Sequence, residues 1–292
     1  MKKWMVLICL VLTVSVFVSG IETSVDYLEG ILEVQSTGGW EEIGIGDTIE
    51  PDAKVRLSDD GYAELLVGDA LVTLSRDGLY EVEQLIGGVA GLSGSNLNLK
   101  QKITMSTGHD KWQHEATMGV RGAEQTRSDN GTGMEDAFTY LDAGMEALSE
   151  EDYEEALVNF DEGWEFFEDA NCLFFSAVCY EALGERRSYA RSLMEVEGDE
   201  LEPDFQAAFV IRKSDLLMRS LEYGEAVTLL EDFLKGSSDA SVEEKQQARY
   251  LLGTGYLGLD RSSKAAGEFR KARDLSPSSD IGKQADQALK SL

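Results

Sequence analysis

Seven residues near the C-terminus constrain this chain more than any other feature: Leu252, Gly253 and Tyr256, then Ala265, Phe269, Ala272 and Pro277. Leu-Gly-x-x-Tyr puts small and large groups on one face of a helix, so that a second helix can approach closely at the glycine. Ala-x-x-x-Phe on the second helix fills the gap between them, and the proline ends that helix. A helical hairpin of this size cannot bury its apolar face alone. Such units stack into a solenoid with a concave surface, which points to binding another protein and away from chemistry.

Three earlier stretches fit the same pattern. The first has Tyr140, Ala143-Gly144 and Ala147, then Tyr153, Ala156, Phe160 and Gly163. The second has Leu173, Ser176-Ala177 and Tyr180, then Leu183-Gly184 and Ala190, with one extra residue. The third has Val210 and Leu217, then Tyr223, Ala226, Leu230 and Phe233, with Lys213-Ser214 as a poor close-contact pair. Aligned alanines at 156, 190, 226 and 265 give steps of 34, 36 and 39 residues, so the later units carry longer loops at Gly198–Pro203 and Gly236–Val242. Ile281–Leu292 reads as a capping helix. Residues 134–292 thus resemble an array of tetratricopeptide repeats, an all-α solenoid. The resemblance implies a groove lined by the first helices of the repeats. Carried onto this chain, its positions include Phe138, Leu141, Met145, Phe174, Arg212, Arg219 and Tyr250. Apolar and aromatic groups with two arginines suit an extended peptide or a helix. For each residue the alternative is contact with a neighbouring repeat.

The other end of the chain fixes an expected compartment. Lys2 and Lys3 precede an apolar run from Trp4 to Val18 that closes on small residues, the form of a secretory signal peptide over residues 1–20 with cleavage after Gly20. The run is shorter than the roughly 20 residues a spanning helix needs. An uncleaved N-terminal membrane anchor is the alternative. The expected mature protein is exported to the periplasm or beyond and does not insert in a membrane. Its formal charge moves from −29 to −31, because the leader takes two lysines with it. Nucleic acid and anionic lipid are therefore poor partners. From Ser128 to Glu185 there are 17 Asp or Glu residues and no Lys or Arg, which reads as a solvated acidic helix surface or as a docking face for a basic partner. Cys172 and Cys179 lie seven apart on one expected helix, about 10 Å along its axis. A disulfide needs Cα atoms within about 7 Å, so both read as small core residues.

Between these ends lies an expected β domain over residues 21–127, separated from the helices by a linker at 128–133 (Ser-Asp-Asn-Gly-Thr-Gly). Ser24–Leu28 and Ile31–Gln35 are β-rich runs joined through Glu29-Gly30. Asp60-Gly61 is a hairpin-turn dipeptide leading to Tyr62–Val67, then Gly68-Asp69 and Ala70–Leu74. Ala63, Leu65 and Val67 alternate with Tyr62, Glu64 and Leu66, so one face is expected to be buried. Tyr80–Val82 extends the sheet, and Gly87–Asn98 reads as loop. Successive hairpins imply an antiparallel sandwich or roll. Tyr27-Leu-Glu-Gly30, Gly46-Asp47, Lys54-Val-Arg-Leu57, Gly61-Tyr-Ala-Glu-Leu65 and Met118-Gly-Val-Arg-Gly-Ala-Glu124 together resemble the FecR domain, over about residues 22–127. That resemblance implies an all-β extracytoplasmic domain, in a family whose founding members relay a siderophore-receptor signal to a sigma factor.

Nothing in the chain points to catalysis. His109 and His114, with Asp110 and Glu115, sit in one polar run and give too few ligands for a zinc site. Nucleophile elbows, zincin helices, phosphate loops and dinucleotide fingerprints are missing from the sequence. No cofactor and no metal are expected. The leading expectation is a non-catalytic envelope scaffold for protein or peptide partners; the alternative is a periplasmic sensor that regulates a transporter or signalling partner.

Overall fold

The computed structural model describes residues 21–93, 137–236 and 240–292. The leader, the His109–Glu115 run, the Met118–Glu124 motif and the 128–133 linker lie outside the described residues.

The N-terminal region forms two four-stranded antiparallel sheets. One has the order β4-β1-β6-β7, from Thr48–Ile49, Thr23–Glu29, Tyr62–Val67 and Ala70–Leu74. The other has the order β3-β2-β5-β8, from Gly39–Ile43, Leu32–Ser36, Lys54–Leu57 and Gly78–Glu81. Val25, Leu65 and Val72 of the first sheet and Leu32, Val55 and Leu57 of the second are buried in the core.

Two turns differ from the sequence reading. Glu29-Gly30 and Asp60-Gly61 do not close hairpins, because each passes the chain from one sheet to the other. The true hairpins are β2–β3 and β6–β7. The two crossing corners touch: a Cβ on Gly30 would lie 3.0 Å from Gly61 Cα, and Gly30 has φ +83°. Turn chemistry marks a sharp reversal, but it does not say which sheet receives the next strand.

A second difference follows β8. Residues 87–93, expected as loop, belong to helix α1 (Val82–Ser93). Gly87 and Gly88 weaken its intrinsic propensity, whereas Val82, Leu85 and Val89 form an apolar stripe that is buried. Tertiary packing decides the outcome here.

Nine helices follow among the described residues, and the first eight are four hairpins: α2/α3 (Ala137–Ser149, Tyr153–Phe167), α4/α5 (Ala170–Leu183, Arg186–Glu195), α6/α7 (Pro203–Arg219, Tyr223–Gly236) and α8/α9 (Val242–Gly258, Ser262–Leu275). Helix α10 (Asp280–Ser291) closes the end, with Ala285 and Ala288 fully buried. The four hairpins share one backbone device. The N–H groups of Asp152, Glu185, Glu222 and Arg261 donate to the carbonyls of Ala147, Tyr180, Leu217 and Tyr256 at 2.8 to 3.0 Å. These acceptors occupy one position of the repeat, and a left-handed residue precedes each donor: Glu151, Gly184, Leu221 and Asp260. This is the bond that ends a helix by satisfying an orphan carbonyl. Inside the hairpins, a Cβ on Gly144 or Gly253 would strike the ring of Phe160 or Phe269. Both rings are buried, and cutting either to alanine would cost about 3–5 kcal/mol.

Cys172 and Cys179 are buried free thiols, as their spacing requires. Gln246 ties the last elements together: its amide nitrogen donates to the Ala272 and Ser276 carbonyls (2.8 and 2.9 Å), while its oxygen accepts from Ser279 Oγ (2.8 Å). The irregular Lys213 also acquires a role. Helix α5 ends early, and the Lys213 ammonium donates to the exposed end of its backbone, at Met194 O (3.2 Å) and Val196 O (3.0 Å).

Three of the four turns hold a side chain in the left-handed region where the second holds glycine. Asp260 is exposed with φ 57°. Asp260→Gly is expected to raise stability by about 0.5–1 kcal/mol. Urea unfolding followed by far-UV circular dichroism measures this; a lower midpoint would contradict the assignment.

Candidate partner-binding surface

The seven groove positions divide sharply. Phe138, on the first turn of α2, is 65% exposed. Leu141 and Met145, one and two turns further on, are buried. Phe174 is 1% exposed and meets the Phe209 ring of the next repeat edge-on at 6.0 Å. Tyr250 is 3% exposed, with its ring 5.5 Å from Phe269 of its own repeat. In this arrangement, repeat-to-repeat and intra-repeat packing occupies the Phe174 and Tyr250 positions.

The two arginines are engaged as well. Arg212 Nε donates to Glu181 Oε2 at 3.1 Å, linking α6 to α4. Arg219 Nε lies 3.2 Å from Asp215 Oδ2, in ion-pair range but out of line for a hydrogen bond. Burial pushes the Asp215 carboxyl up to about 6, against the pull of Arg219 and with a push from Glu181. A buried patch of alternating charge therefore underlies the C-terminal ends of α4 and α6.

What covers that patch is the chain's own β domain. Strand β6, expected to have one wet face, is buried on both: Ala63, Leu65 and Val67 face the sheet core, and Tyr62 and Glu64 face the helices. The Glu64 side chain is 3% exposed. Its carboxylate accepts from Tyr62 Oη at 2.7 Å and from Arg186 Nη1 at 2.6 Å. Burial and the Glu64 charge push the Tyr62 phenol well above its usual range, which keeps it a neutral donor. The Arg186 guanidinium also lies 4.6 Å from the centre of the Tyr27 ring.

Weaker contacts surround this one. Arg76 reaches Glu222 and Glu225 at 3.1 and 3.6 Å, and Asp60 faces Arg187 and Arg191 at 3.8 and 3.7 Å. These pairs are more open to solvent and contribute at most about 1 kcal/mol each. Leu221, the left-handed residue of the third turn, packs beside Gly88 of α1, and α1 also lies against α8. The observed geometry is thus an internal dock between the β sandwich and the turn edge of the second and third repeats.

The alternation of β6 did not reveal this second buried face, since Tyr62 and Glu64 are ordinary solvent-side residues. A signal did exist. After 58 residues without a positive charge, Arg186, Arg187 and Arg191 appear within six positions, and all three face carboxylates of the β domain.

No family model matches the chain, including its FecR-like and repeat regions, and no curated protein matches it. Solved structures similar to the chain include MamA 41-end from Desulfovibrio magneticus RS-1, at 21% identity and TM-score 0.41, and a MamA RS-1 ArsTM double mutant, at 20% and 0.40. Each match covers 55% of this chain and 94% of the other. Among the described residues there is no group of His, Cys, Asp or Glu able to hold a metal ion, and no helix is long and apolar enough to cross a membrane.

Two measurements probe the dock. Arg186→Met leaves the buried Glu64 carboxylate with Tyr62 alone and is expected to cost about 2–4 kcal/mol in urea unfolding; adding Glu64→Gln should restore most of that. A single variant as stable as the parent would show that the pair does not hold the domains together. For Asp215, the folded state binds its proton more tightly than the unfolded chain does. Its contribution is present in full below about pH 4 and is lost as pH rises to about 6. Asp215→Asn should therefore gain stability relative to the parent across that window, and a constant difference from pH 4 to 6 would refute this.

Proposed function

We propose that this chain is an exported, non-catalytic scaffold of the cell envelope that binds protein or peptide partners. The observation that carries the reading is the stack of four hairpins, each closed by the same turn bond, with a β sandwich fastened to its edge. Stacked hairpins present long surfaces with no need for a reaction centre. The signal-peptide form of residues 1–20 supports export, and the FecR-like pattern of residues 22–127 agrees with an extracytoplasmic β domain.

A second reading is favoured by one feature of the dock. Its polar contacts are ion pairs and hydrogen bonds around a single buried carboxylate, closer to a separable domain interface than to a fused core. A sensor would use that property. A ligand or transporter recognised by the β domain would compete with Arg186 for Glu64 and release the turn edge of the helices to a regulatory partner.

Phe138 offers the direct test, because it is the groove candidate that stands in solvent. With a photo-crosslinking phenylalanine at that position, irradiated cells should yield discrete heavier adducts in the exported fraction, from a chain lacking residues 1–20. Recovery in the cytosol would end the export reading. Export without any adduct would end the scaffold reading at this surface.

A further inference from the structure

The second helices of the hairpins are not equal in length. Helix α5 has 10 residues, whereas α7 and α9 have 14 each. The missing four residues correspond to about 6 Å of helix. Where they would lie, a groove of about 1150 Å³ opens between the end of α5, the first half of α6 and the last turns of α7. Lys213 keeps it open. By donating to Met194 O and Val196 O, its ammonium replaces the hydrogen bonds that a further turn of α5 would have made.

The walls are of two kinds. Leu229 and Phe233, only partly covered by their own neighbours, supply the accessible apolar surface, and Phe209 and Val210 are buried behind them. Glu195, Glu197, Asp199 and Asp204 stand around them, all exposed. None of these four is in an ion pair among the described residues. Lys213 is the basic residue of the lining, and its ammonium is turned onto backbone carbonyls and the Phe209 ring, 5.0 Å away. Partly exposed apolar side chains flanked by carboxylates that have no ion-pair partner among the described residues select a positively charged occupant that carries apolar side chains.

We propose that this groove between α5 and α7 is a docking site for a basic peptide segment of a partner protein, one whose apolar side chains seat on the partly exposed Leu229 and Phe233 while its Lys or Arg groups meet the flanking carboxylates. Its lining residues are distinct from the inner positions Glu181, Arg212, Asp215 and Arg219. The inference deepens the scaffold reading by naming the chemistry of one partner. The two fail separately, because the test uses purified protein and does not depend on export or on adducts at Phe138.

The probe is a labelled 14-residue Lys/Leu peptide with leucines at i, i+3 and i+4, titrated against the mature chain 21–292 by fluorescence anisotropy. Lys/Ser and Glu/Leu peptides of equal length, and spermidine, serve as controls. The expected result is one-to-one binding of Lys/Leu, at least about tenfold weaker binding of Lys/Ser, and none of Glu/Leu. Glu197→Lys with Asp204→Lys should weaken Lys/Leu binding about tenfold. Glu162→Lys with Glu165→Lys, which makes the same change in net charge at exposed sites on α3, should leave it within about twofold. Equal weakening by both pairs, equal binding of Lys/Ser, multiple peptides per chain, or full displacement by spermidine would each reduce the effect to general attraction by an acidic protein. Any of these outcomes would overturn the proposal.

Discussion

The Glu64 carboxylate organises the molecule. It sits on a central strand, points away from the sheet core, and would be intolerable there without two donors. Moving a lone carboxylate out of water costs several kcal/mol even after relaxation. Tyr62 supplies one hydrogen bond from the same strand, and Arg186 supplies a charged one from the first residue of α5. The arginine comes from the far side of the chain, 122 residues away in sequence. The carboxylate end of this pair is buried and the Arg186 end is half exposed, so the pair adds little net stability compared with apolar residues of equal shape. What it fixes is geometry, because satisfying the charge ties strand β6 to the first residue of α5.

That placement explains why the inner positions of the repeats are so polar. In an open solenoid, Arg212, Asp215, Arg219 and Glu181 would face water or a ligand. Here the β domain lies over them, and they neutralise one another across α4 and α6. Asp215 has the least favourable position, since its partner arginine is close but poorly aligned. The same cover accounts for α1. A helix with two glycines at its centre has little reason to form alone, and it forms because its Val82, Leu85 and Val89 stripe is sealed at the junction with α8 and Leu221.

Much of this was legible before the structure. Gly253 with Phe269, and the matching Gly144 with Phe160, announced the helix pairs because only a missing side chain leaves room for the ring. The strands around Val25, Leu32 and Leu65 were legible through alternation. The long loops after α5 and α7 followed from the drift in repeat spacing. The limits have physical causes. Asp60-Gly61 reports a local reversal and is silent on sheet membership. Glu64 looks like a wet residue until its partner is known, and that partner is non-local. Phe174 and Tyr250 are aromatic under either a groove or a core reading, so their type could not separate the two. Lys213 looked like a defect in the packing pair, whereas it ends a shortened helix.

The distribution of charge follows from these contacts. Positive groups are scarce in this chain, and the structure places many of them at internal work: Arg186, Arg187, Arg191 and Arg76 at the dock, Arg212 and Arg219 beneath it, Lys213 on a helix end. Among the described residues, the outer carboxylates of α3 and of the α5–α6 loop are in no ion pair. A surface of this kind attracts cationic segments, but long-range attraction alone is screened within about 8 Å at physiological salt. Selectivity then requires a place where charge and apolar surface coincide. On the described residues, that coincidence is created by the four residues that α5 lacks.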